Sequence, residues 1–140
     1  MMIERRGRCL CGQVRFAARG EPLWVAHCHC ESCRRATSSP ITTYAGYLAT
    51  EVEWTAAAPA SYASSPGVTR RFCPRCGAPM SFEGENAPGE IHLFAASFDD
   101  PENLAPNCHV FVEEQLGWLH VADNLPRYAK TARVGPPLPR

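Results

Sequence analysis

Three thiols fall within the run Cys28-His29-Cys30-Glu31-Ser32-Cys33, in a chain that has eight cysteines. Thiolates are soft ligands suited to zinc, and three of them leave one tetrahedral position open to a further soft group. Leu23-Trp24-Val25-Ala26 reads as a strand that runs directly into His27-Cys28-His29-Cys30. Strand side chains alternate between faces, so Cys28 and Cys30 share one face and His27 and His29 take the other. If Glu31-Ser32-Cys33-Arg34-Arg35 opens a helical turn, Cys33 folds back and completes a trigonal set of thiols. Thr37-Ser38-Ser39-Pro40 then ends a short helix.

A second group of thiols is divided between two places. Cys73-Pro74-Arg75-Cys76-Gly77 is a C-x₂-C knuckle that presents two sulfurs to one tetrahedral ion, with a glycine to close the turn. Two more ligands come naturally from Cys9-Leu10-Cys11-Gly12, where an extended Cys-x-Cys puts both thiols on one side. Gly12 suits the tight backbone that follows, because glycine takes positive φ without a Cβ penalty. Together Cys9, Cys11, Cys73 and Cys76 make a closed, structural Cys₄ zinc site.

The elements that must position these residues are mostly strands. Gln13 to Ala17 alternates like a half-buried strand, and Ile41 to Leu48 and Val52 to Trp54 have strand composition. Tyr62 to Ser64 and Val68 to Phe72 form a hairpin around Ser65-Pro66-Gly67 that delivers the knuckle. Met80 to Glu83, Ile91 to Phe98 and His109 to Val112 extend the pattern, while the N-terminus turns polar at once at Glu4-Arg5-Arg6. Thirteen prolines and 10 glycines favour turns and short strands over long helices.

Composition bounds the function. The chain of 140 residues suits one domain, set here at residues 1–134 with a loose proline-rich tail at 135–140. Lys+Arg and Asp+Glu are equal at 14 each, so no net positive field recommends nucleic acid or an anionic membrane. No signal peptide and no long apolar span is visible, which sets the chain in a reducing cytoplasm, where clustered cysteines favour metal over disulfides.

The order Cys9-x-Cys11-Gly12, Cys28-x-Cys30-x-x-Cys33, Cys73-x-x-Cys76-Gly77, then His109, Trp118 and Asp123-Asn124-Leu125-Pro126 resembles the glutathione-dependent formaldehyde-activating (GFA) family, which also includes centromere protein V. The resemblance spans nearly the whole chain. It implies a mainly β, Mss4-like β-tent: short antiparallel sheets around two zinc ions, with one short helix after Cys33. It assigns Cys9, Cys11, Cys73 and Cys76 to the structural zinc and Cys28, Cys30 and Cys33 to the zinc of catalysis. The implied activity is that of a carbon-sulfur lyase, joining glutathione to formaldehyde as S-hydroxymethylglutathione or cleaving that adduct. Three thiolates make zinc a weak electrophile that favours a soft fourth ligand, so a small thiol is the expected partner.

Other residues have structural readings. His27 and His29 face away from the thiols and suit packing or supporting roles. His109 is either near the pocket or a packed histidine. Arg34 and Arg35 could receive glutathione carboxylates, although solvated surface charge suits them better. Trp24, Trp54, Trp118, Tyr44 and Tyr47 read as core. Cys108 lies outside the motif and is the thiol able to close the second site as Cys₄. That closure would make the chain a zinc-stabilised binding or scaffold domain.

Overall fold

The computed structural model describes residues 3–139. Ten strands and one α-helix follow in chain order: β1 Glu4–Arg8, β2 Arg15–Arg19, β3 Trp24–Cys28, α1 Glu31–Thr37, β4 Thr42–Leu48, β5 Val52–Trp54, β6 Ala60–Ser65, β7 Val68–Phe72, β8 Pro79–Gly84, β9 Glu90–Phe94 and β10 Cys108–Val110. A three-stranded antiparallel sheet has the order β1-β2-β5, and a seven-stranded sheet has the order β10-β3-β4-β9-β8-β7-β6. The mainly β architecture with one short helix is the one the sequence resemblance implies.

Alternation divides the large sheet into two faces. Along β4, Ala45 and Tyr47 enter the main core with Val14, Phe16, Met80, Leu93 and Phe98, whereas Tyr44 turns to the opposite side. There Tyr44 joins Cys28, Cys30 and Cys33 in a second cluster edged by Trp24, Phe82, Phe94, Val110 and Phe111. One sheet therefore carries the main core on one face and the sulfur-aromatic cluster on the other. Gly7 of β1 forms an isolated bridge with Phe98, beyond the end of β9, and a Cβ there would stand 2.3 Å from the Phe16 ring and 2.5 Å from the Ser97 carbonyl.

β1 is a charged strand whose Arg5 turns inward and is neutralised by ion pairs with Glu21 and Asp100. Several expectations need correction. The run from Ile91 ends as a strand at Phe94, and Ala95–Ser97 forms one turn of 3₁₀ helix. The strand expected at 109–112 occupies Cys108–Val110 and stops at Phe111, whose φ of 56° ends the extended backbone. It pairs with β3 in parallel, the one parallel pairing among otherwise antiparallel ladders of the described strands. Trp118 is exposed rather than core, at 68%. Among the described residues no helix is long and apolar enough to cross a membrane.

Candidate metal centre

The β3-to-α1 corner builds the sulfur trio. β3 ends at Cys28, Cys30 caps the helix, and the Cys33 amide donates to the Cys30 sulfur at 3.3 Å. A sulfur in the N-cap role satisfies one of the helix's unpaired amides while turning Cys33 back over the strand end. The helix closes at Ser38, whose backbone is left-handed at φ 54°. The ligand atoms of Cys28, Cys30 and Cys33 lie within 4.8 Å of one another, and the Cys28 and Cys33 sulfurs are 4.0 Å apart. All three are buried or nearly so. Cys108 is not in this group.

Three polar side chains meet the trio, the first being Ser32, whose hydroxyl is 3.4 Å from the Cys30 sulfur. The Tyr44 hydroxyl donates to the Cys33 sulfur at 3.3 Å, and both terminal nitrogens of Arg70 stand 3.9 Å from it. Arg70 reaches this place from β7, opposite Phe82 in register, with its guanidinium over the Phe82 ring at 5.1 Å from the centroid. Hydrogen bonds from Cys28 and Cys30 hold Cys33 down to about 2, and Tyr44 and Arg70 add to this against the opposing effect of burial. Contact with the other two sulfurs, together with burial, pushes Cys28 up. Burial and the charge on Cys33 raise Tyr44, so its hydroxyl keeps its proton and serves as a donor.

The other group is closed. Cys9 and Cys11 sit in the loop between β1 and β2, a turn rather than the extended stretch expected, with Gly12 at φ 81°. Cys73 and Cys76 sit between β7 and β8, where the Arg75 and Cys76 amides donate to the Cys73 sulfur at 3.4 Å each. The Val14 amide donates to Cys9 at 3.3 Å. Amide donors of this kind stabilise thiolates, and amides of Cys11 and Ala78 help bring Cys76 down to about 6. The Cys9–Cys11 and Cys11–Cys73 separations are 3.6 and 3.7 Å. A tetrahedron with spokes of about 2.3 Å, the zinc–sulfur distance, has edges of about 3.8 Å. Four thiols at this spacing fit one tetrahedral cation, and three at the other cluster fit a cation with one position left over.

The remaining sequence candidates have ordinary partners. Arg34 donates to the carbonyls of His29 and Glu114, and Arg35 pairs with Glu31 on an exposed helix face. Trp24 and Trp54 are partly buried at the edges of the two clusters. His27 and His29 do face away from the sulfurs, where His29 Nε2 meets His109 Nδ1 at 2.9 Å. Sequence reasoning missed Arg70 and the role of Tyr44. The available signal was strand alternation on β4 and β7, which becomes informative only once the register is known.

Residues 4–114 match the family model described as glutathione-dependent formaldehyde-activating enzyme. A relative in Schizosaccharomyces pombe, named uncharacterized lyase C29B12.13, is 30% identical over 114 residues, covering 81% of this chain and 82% of its own. The crystal structure of a Rhodobacter sphaeroides protein shares the fold with a TM-score of 0.60 and 22% identity, over 71% of this chain and 94% of that one. The family match covers the strands and loops that carry all seven clustered thiols, and the chain belongs to the glutathione-dependent formaldehyde-activating enzyme family.

Proposed function

We propose that this chain is a zinc-dependent carbon-sulfur lyase of the cytoplasm, taking glutathione or a similar small thiol at Cys28, Cys30 and Cys33. The observation that supports it is the unfinished trio: three sulfurs are drawn together and Cys108 is not among them. The four sulfurs of Cys9, Cys11, Cys73 and Cys76 take the structural zinc.

Zinc held by the trio would supply the charge that stabilises an incoming thiol as its thiolate. The chain's residues set the conditions for that. Three thiolates outweigh a dication by one negative charge, and a fourth thiolate would raise the surplus to two. The Arg70 guanidinium and the Tyr44 hydroxyl, both at Cys33, offset this surplus. Trp24, Phe82, Phe94 and Phe111 surround the cluster with apolar surface that strengthens those contacts. In the forward direction the thiol sulfur bonds to the formaldehyde carbon and the thiol proton ends on the carbonyl oxygen. The reverse breaks that carbon-sulfur bond and returns both.

The test uses zinc-loaded protein, glutathione and ¹³C-formaldehyde, with the exchange between free formaldehyde and S-hydroxymethylglutathione followed by NMR. Exchange faster than without protein, and lost in Cys33→Ser, is expected. Exchange at the uncatalysed rate with both clusters filled would overturn the reading.

A further inference from the structure

We propose that the side of β3 opposite the thiols carries a separate divalent-metal site formed by His27, His109 and Asp123. It would take a borderline first-row ion such as Zn²⁺, Fe²⁺ or Co²⁺.

The ligand atoms of these residues lie within 4.8 Å of one another. The Asp123 carboxylate oxygens are 2.9 and 3.2 Å from His109 Nε2, and the His27 and His109 ring centroids are 4.8 Å apart. Backbone topology explains the convergence. β10 runs parallel to β3 with His109 beside His27, and Arg127 forms a bridge to His109 on the other side. That bridge carries the Asp123-Asn124-Leu125-Pro126 segment along the same edge.

Both imidazoles are held by the nitrogen that a metal would not use. His27 Nδ1 is 2.8 Å from the Thr43 hydroxyl, and His109 Nδ1 is 2.9 Å from His29 Nε2. The Asp123 carboxylate is in turn fixed by the Leu125 amide at 3.1 Å. Ligating histidines characteristically have the other ring nitrogen anchored in this way, which fixes both tautomer and ring orientation. His109 is fully buried, whereas the Asp123 side chain is 26% exposed and gives an ion a way in. Two imidazoles and one carboxylate leave further positions open, and this mixed nitrogen-oxygen set suits borderline ions rather than the hard cations that require all-oxygen shells.

The site shares no ligand with either cysteine cluster, so its test stands apart from the lyase reading. Protein whose cysteine clusters are saturated with zinc is freed of excess metal and titrated with Co²⁺. One further equivalent should bind, giving weak visible d–d bands without thiolate-to-cobalt charge-transfer absorption. Asp123→Asn, on the exposed edge, and His27→Gln, in a half-buried position, should each weaken that binding at least about tenfold without changing the zinc content. No binding beyond the zinc, cobalt bands with thiolate charge transfer, or unchanged affinity in both variants would overturn the proposal.

Discussion

The Tyr44 hydroxyl donates to the Cys33 sulfur at 3.3 Å, which joins the middle of the large sheet to the first turn of the helix. Its ring packs on Phe94 at 4.6 Å between centroids, so the hydroxyl is held in place by aromatic contact. Tyr44→Phe keeps that packing and removes only the donor. Partners that orient ligand atoms typically contribute ten- to a hundredfold in metal affinity. Chelator competition should show zinc held about tenfold less tightly at the trio and unchanged at the Cys₄ cluster. Equal retention at both would show that the hydroxyl has no effect on the ligand.

Arg70 adds a full charge at the same sulfur. Arg70→Met removes the charge and preserves much of the contact with Phe82, whereas Arg70→Lys keeps a point charge without the planar fork. A charge-assisted contact is worth about 1.5–3 kcal/mol, which corresponds to a loss of roughly tenfold or more in rate. The Met variant should lose that much in formaldehyde–glutathione exchange, and the Lys variant should recover part of it. Wild-type rates in Arg70→Met would remove Arg70 from the site.

Much of this was legible in the sequence, and the exceptions have physical causes. The cysteine spacings, the Val68–Phe72 strand and the helix after Cys30 are local signals, and local signals survive without a fold. β1 is hidden because Arg5 is buried by partners 16 and 95 residues away. Arg70 looks like one of two adjacent surface cations until the β7–β8 register sets it over Phe82. The His27–His109–Asp123 group depends on a parallel pairing of β10 with β3, and no local pattern encodes the partner of a three-residue strand.

His92 contributes to the pH dependence of stability. Its ring lies edge-on to Trp24 at 4.5 Å, and burial lowers its pKa although Glu90 opposes the shift. The fold thus prefers the neutral ring. That contribution is intact above the ordinary value of 6.5 and is lost as pH falls through the lower folded-state value. His92→Gln lacks the titration. The gap in urea midpoint between wild type and variant should therefore narrow below about pH 6.5. A gap that stays constant or widens on acidification would contradict this sign.

The two cysteine clusters should fail differently when each loses a ligand. Cys11 and Cys73 are 62 residues apart in sequence, and their contact links the β1–β2 loop to the β7–β8 loop across the two sheets. Closing a loop of that length costs about 3–4 kcal/mol, well below the roughly 10–16 kcal/mol apparent for structural zinc. Removing Cys76 takes a ligand from the ion that ties these two loops together, so Cys76→Ser should unfold at much lower urea or fail to accumulate. Cys28, Cys30 and Cys33 belong to one short corner already held by the Cys30 cap and by strand pairing with β4 and β10. Cys33→Ser should therefore keep a cooperative transition near the wild-type midpoint while losing one zinc by metal analysis. Equal loss of stability in the two variants would mean that the trio supports the fold as much as the Cys₄ cluster does.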